Sequence, residues 1–150
     1  MSPLKLHGLS AWGGKYLCVR IGAHPKELVD PNWAAEHRQQ VVDYLKNGIE
    51  LCEEMGCFPD LFGDRGNDDL LGPVEITDGV WHWQNDLPLY VERNSVRLPD
   101  EFIAHAASNR FVVPEPPSHF FDLWEQKDVR SYVSYKKWFR WCREYLAKRR

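Results

Sequence analysis

A chain of 150 residues, 43% of them hydrophobic and carrying a net charge of −3, has the size of one globular domain with a sizeable core. No window reaches the ~18 apolar residues of a membrane span, and the first residues lack the apolar core of a secretion signal, so a cytoplasmic protein is expected. Cys18, Cys52, Cys57 and Cys142 are widely scattered and read as reduced, small buried hydrophobes before they read as disulfides.

Two further features of composition bear on function. Seven Trp, six Tyr and seven Phe supply either a bulky core or an interface, and the core is the default for such side chains. The charge is divided along the chain: residues 127–150 carry +7 and the preceding part −10, with −9 concentrated between Glu50 and Asp86. Such a field steers a basic partner toward the surface. The plainer reading is a solvated face partly neutralised by the chain's own basic C-terminal helix.

In chain order, Lys15 to Ile21 alternates as a strand. Asp30-Pro31 reads as a helix start and Gly48 as its exit, predicting an amphipathic helix over about 31–47. Ile49 to Cys52 can form a strand, and Asp60 to Gly72, rich in Gly, Asp and Asn without a period, is a loop. Val74–Thr77 and Val80–Trp83 flank Asp78-Gly79 as a hairpin that needs a third strand, from 15–21 or 49–52. Its period of two sends Trp81 and Trp83 to one side.

Asp86 is placed to cap a short helix with Pro88 in its first turn and Asn94 at an αL exit. Pro99 opens another, in which Asp100 and Glu101 complement the helix dipole and Phe102, Ile103 and Ala106 face inward. Phe111–Val113 reads as extended. Pro114, Pro116 and Pro117 then form a stiff connector before a long, aromatic-rich helix over about 128–148. The expected fold is α+β: a single domain, 1–150, with a small antiparallel sheet packed against about four helices.

Signals for chemistry are sparse. Gly13-Gly14 and Gly63 to Gly66 lack the spacing and the Lys-Ser/Thr of a phosphate loop. Cys52 and Cys57 have no second ligand pair for zinc, and Asp64, Asn67, Asp68 and Asp69 lack the order of a calcium loop, so neither metal nor cofactor is expected. Glu101 and His105, four apart on a helix, let a carboxylate orient an imidazole, and His82 stands between two tryptophans. No nucleophile stands beside them in sequence, and Cys18, Cys52, Cys57 and Cys142, which folding could bring near, carry no local signature of one. The C-terminal Lys136, Lys137, Arg140, Arg143, Lys148, Arg149 and Arg150 suit phosphate contacts beside aromatic stacking, against which stands the acidic remainder.

The run Thr77-Asp78-Gly79, Trp81-x-Trp83, Leu87, Tyr90-Val91-Glu92, Val96 and Leu98-Pro99-x-Glu101-Phe102, preceded by Tyr44-Leu45-x-x-Gly48, resembles a pattern of small bacterial proteins, mostly uncharacterised, of the toxin-immunity type. The matched positions are aromatic, apolar and proline, so the resemblance implies a shared fold more than a shared partner. Gly56-Cys57-Phe58-Pro59 departs from the Cys-Arg-like element such proteins carry before the acidic loop. With the charge pattern, the resemblance implies a non-catalytic immunity protein. Its acidic surface, around Glu53, Glu54, Asp60, Asp64, Asp68 and Asp69, would cover the basic active site of a cognate protein toxin. The alternatives are a small enzyme or ligand binder using His82, Glu101 and His105, and a nucleic-acid-associated protein using the C-terminal helix.

Overall fold

The computed structural model of the chain describes residues 5–10, 23–34, 36–53, 61–63, 72–116, 120 and 132–149. The Asp78-Gly79 turn joins β3 (Val74–Thr77) to β4 (Trp81–Gln84), as the turn dipeptide predicts, with Gly79 at a φ of 97°. The third strand of this antiparallel unit is β2 (Ile49–Glu53), bulged between Glu50 and Cys52. Two strands absent from the sequence reading extend the sheet in parallel. β1 (Leu6–Gly8) lies on β4, and the two-residue β5 (Val133–Ser134) lies on β1, giving the order β2-β3-β4-β1-β5. Both are too short to show alternation. The strand expected over 15–21 lies outside the described residues.

Four helices accompany the sheet among the described residues: α1 (Arg38–Lys46), α2 (Leu87–Asn94), α3 (Asp100–Ser108) and α4 (Lys136–Arg149). The architecture is α+β with a mixed sheet. α1 begins seven residues later than Asp30-Pro31 suggests. Asp30 Oδ1 accepts from the Asn32 amide at 3.2 Å, forming a turn in place of a helix cap, and Ala34 takes a left-handed φ of 51°. Arg38 closes the turn by donating to the carbonyls of Pro31 (2.9 Å) and Trp33 (2.7 Å). The 3₁₀ turn at Pro25–Leu28 precedes it.

Other helix ends differ in chemistry more than in place. Asp86 occupies the N-cap of α2 but is itself helical and makes no side-chain cap bond, and Ser95, not Asn94, takes the left-handed exit at φ 56°. Pro99 is the N-cap of α3, so its fixed φ directs the chain in while Asp100 and Glu101 occupy the first turn. Beyond Asn109, Arg110 and Phe111 both have positive φ, which ends α3 where an extended piece is expected. α4 starts at Lys136 because Val133 and Ser134 are committed to the sheet.

The core is aromatic. Ile76, Trp81 and Trp83 share one face of the sheet, and the hydrogen-bonded register sets Ile76 opposite Trp83. Over them lies Phe102 of α3, with edge-on contacts to Trp81 (5.5 Å), Trp83 (5.8 Å) and Tyr44 of α1 (6.0 Å). Edge-to-face pairs of this kind add ~0.5–1.5 kcal/mol each beyond burial. The Trp83 indole also donates to the Leu45 carbonyl at 3.1 Å, tying α1 to the hairpin. Trp138 and Cys142 carry the buried side of α4 into the same core.

Gly48 illustrates how packing, not dihedral freedom, fixes a residue. A Cβ there would stand 2.3 Å from Ile76 Cγ2 and 2.8 Å from Trp83 Cζ2. We predict that Gly48→Ala lowers the urea midpoint by separating α1 from the hairpin. Trp81→Ala, at a site 2% exposed, is predicted to cost ~3–5 kcal/mol in the same measurement. A midpoint equal to wild type for Trp81→Ala would mean that this ring is not core.

Candidate functional site

Among the described residues, most buried polar groups gather about the hairpin, on two sides of the sheet. On the aromatic side, Asp78 lies in the turn with its side chain fully buried. Its Oδ1 accepts from the amides of Val80 (2.9 Å) and Trp81 (2.7 Å). Its Oδ2 accepts from Tyr44 Oη (2.6 Å) and lies 3.1 Å from His105 Nε2. A carboxylate only accepts, so this contact requires the proton of His105 on Nε2. Asn109, one turn along α3, donates to Tyr44 Oη at 3.2 Å.

Around His105 stand further ionisable groups. His7 of β1 packs its ring 5.3 Å from Trp81, and Lys137 of α4 holds its ammonium 5.8 Å from the same indole. Lys137 also pairs with Glu101. The His7 imidazole is held below its ordinary value first by burial and then by the Lys137 charge; Glu101 opposes this, and His105 adds to it. Tyr44 is displaced upward, first by burial and then by its bond to Asp78, with Asn109 opposing.

The other side of the sheet carries Glu75, Thr77 and His82, which the strand period places opposite the tryptophans. His82 Nε2 lies 2.5 Å from Glu75 Oε2, both side chains almost fully buried, and Gln84 donates to Glu75 Oε1 at 2.9 Å. Thr77 Oγ1 donates to the Trp81 carbonyl at 2.6 Å.

No family model, curated protein or solved structure matches this chain. Chemistry must therefore be read from the geometry alone.

That geometry divides the histidine set anticipated from sequence. Glu101 and His105 lie one turn apart on α3, the first exposed and the second half-buried against Asp78, but His82 is on the far face of the sheet. Glu101 pairs with Lys137, and Asp78 takes the role of orienting His105. An imidazole held by a buried carboxylate is suited to proton transfer. Among the described residues, the polar neighbours of its Nε2, Asp78 and Asn109, include no nucleophile. The described cysteines are free thiols, Cys52 partly exposed on β2 and Cys142 buried, where burial chiefly pushes its pKa up to about 11. Cys18 and Cys57 lie outside the described residues.

Of the acidic partner-binding residues, Glu53 is exposed at the end of β2; Glu54, Asp60, Asp64, Asp68 and Asp69 lie outside the described residues. Three acids of the same stretch, Glu75, Asp78 and Asp86, are interior. The −9 counted along the sequence therefore overstates the charge available at the surface. Among the described residues, no group of three or more His, Cys, Asp or Glu is placed to hold a metal ion. His7, Tyr44, Asp78 and Asn109 were not candidates from sequence, and Lys137 was one only for phosphate contacts: 34 residues separate Tyr44 from Asp78 and 36 separate Glu101 from Lys137, and no local spacing encodes such contacts.

Tyr44 yields a pH test. Its folded pKa lies above the value near 10 of an unfolded tyrosine, so the folded state holds this proton more tightly. The resulting stability is complete below pH ~10 and falls as pH rises beyond it. Tyr44→Phe, which cannot ionise, is predicted to be less stable than wild type at pH 8. The difference should shrink between pH ~10 and ~11 in urea titrations. A difference constant over that range would show that Tyr44 does not resist ionisation.

Proposed function

We propose that this chain is a non-catalytic binding protein of the bacterial immunity type, which neutralises a cognate protein toxin by laying an acidic surface over the toxin's active site. The observation that supports the reading best is the position of β2. It is the outermost strand of the described sheet on its side, with Glu50 and Glu53 exposed. In sequence it leads directly into Glu54, Asp60, Asp64, Asp68 and Asp69. A rigid edge feeding an acidic segment suits a surface that meets a basic cleft, because complementary fields raise the association rate and oppose wrong partners.

The division of the histidines favours binding over catalysis. His82 and His105 have carboxylate partners on opposite faces of the sheet, and Glu101 is held by Lys137. These contacts serve the fold. The resemblance over Tyr44 to Phe102 points the same way, since its positions are those of the aromatic core and helix ends. Charged residues on an edge strand also serve a plainer purpose, that of preventing edge-to-edge pairing, and a kinetic test separates the two.

Co-expression of the chain with a toxin domain encoded beside it is expected to restore growth of the host. In stopped-flow mixing of the purified pair, Glu50→Lys combined with Glu53→Lys should slow association about tenfold at low salt. The effect should fade as the Debye length falls from ~10 Å at 0.1 M to ~3 Å at 1 M. Unrestored growth would remove the immunity reading, whereas wild-type association rates in the double variant would leave those two acids only the edge-guarding role.

A further inference from the structure

α4 has two faces of different character. Trp138 and Cys142 are buried, with Trp141 and Tyr145 flanking them. At about 100° per residue, Lys136, Arg140 and Arg143 fall on the opposite side of the helix, and Phe139 lies at its border, on the flank away from Trp141. Among the described residues, these four line an open, shallow depression of about 510 Å³. Lys136, Arg140 and Arg143 are exposed, while Phe139 is half-buried. Among the described residues, none of the three cations takes part in an ion pair. Their neighbour Lys137 turns the other way, to Glu101 and the Trp81 ring.

This arrangement is unexplained by folding. Three like charges at one-turn intervals repel one another by a few tenths of a kcal/mol per neighbouring pair, and the half-buried Phe139 is not among the side chains packed against the described core. Both features have one chemical complement: a flat ring to stack on Phe139 joined to negative groups on either side. The cations extend along about 10 Å of helix, a spacing that suits a chain of regularly placed negative groups passing over it.

We propose that the Lys136–Phe139–Arg140–Arg143 face of α4 binds single-stranded nucleic acid, with the cations on successive phosphates and one base stacked on Phe139. The acidic remainder of the chain opposes this less than its sequence suggests, because Glu75, Asp78 and Asp86 are interior. The inference stands independently of the toxin-binding reading, which concerns the β2 edge.

The test is fluorescence anisotropy of the full chain with a fluorescein-labelled single-stranded oligothymidylate, across a sodium chloride series. Three phosphate contacts predict a slope of about −2 for the logarithm of the association constant against the logarithm of salt, or a ten- to twentyfold loss between about 50 and 200 mM. Arg140→Ala and Arg143→Ala should each weaken binding and flatten the slope. Phe139→Ala should weaken it about tenfold while leaving the slope unchanged, and Phe139→Tyr should restore it. Circular dichroism confirms that each variant is folded. Absence of binding at low salt, full affinity in folded Phe139→Ala, or equal competition by polyglutamate would each overturn the proposal, the last by marking the face as a dock for acidic protein.

Discussion

The Asp78 carboxylate is the constraint on which the described fold depends. A carboxylate removed from water costs several kcal/mol unless its acceptor capacity is used. Here two turn amides, the Tyr44 hydroxyl and the His105 imidazole occupy it. One side chain thus fixes the hairpin turn, the orientation of α1 and the orientation of α3. Removal of any one donor leaves the others in place but the charge under-solvated, so the three elements are coupled more tightly than their apolar contacts alone require. Asn109 extends the network by sharing the Tyr44 oxygen, which further anchors the last turn of α3.

The aromatic layer follows from that anchor. With α1 and α3 both drawn to the hairpin turn, the space between them and the sheet is filled by Tyr44, Phe102, Trp81 and Trp83, whose rings meet edge to face or tilted. Gly48 is small because α1 must leave this layer beside Ile76 and Trp83. On the opposite face, the His82–Glu75 pair does for sheet register what Asp78 does for the turn. Sliding β3 by one residue would bring Glu75 to the tryptophan side and part it from His82, a large penalty for a buried charged group.

Much of this fold was legible locally. The Asp78-Gly79 turn, the common face of Trp81 and Trp83 and the two helices that start at Pro88 and Pro99 to within a residue follow from period and punctuation, while Ile49–Glu53 was one of two stretches offered for the third strand. The misread features are those in which a distant partner decided the outcome. Asp30 caps a turn instead of a helix because Arg38 holds the Pro31 and Trp33 carbonyls. Leu6–Gly8 becomes a strand only because β4 and β5 offer ladders on both sides. The polar cluster was legible in its histidines and not in its geometry. The i, i+4 spacing of Glu101 and His105 suggests a pair, but a buried carboxylate holds His105 and a lysine from α4 draws Glu101 away.

Charge shows the same distinction between groups the fold consumes and groups it leaves outside. Sequence counting treats all acids between Glu50 and Asp86 as one field, whereas Glu75 and Asp78 are neutralised or solvated internally by residues of the core, and their influence on a partner is correspondingly reduced. The basic helix behaves in parallel. Lys137 is drawn inward to Glu101 over Trp81, and Arg149 donates to the carbonyls of Glu27 and Val29 while lying over Tyr145. Lys136, Arg140 and Arg143 remain outside. Among the described residues, α4 is thus seated by one ion pair to an acid and by contacts of Arg149 to carbonyls and a ring, which leaves most of its charge unpaired. What remains is a molecule with an acidic edge at β2 and a basic, aromatic face at α4. A ligand of one charge would be drawn to one of these surfaces and repelled by the other, so each of the two proposed contacts discriminates against the other's ligand.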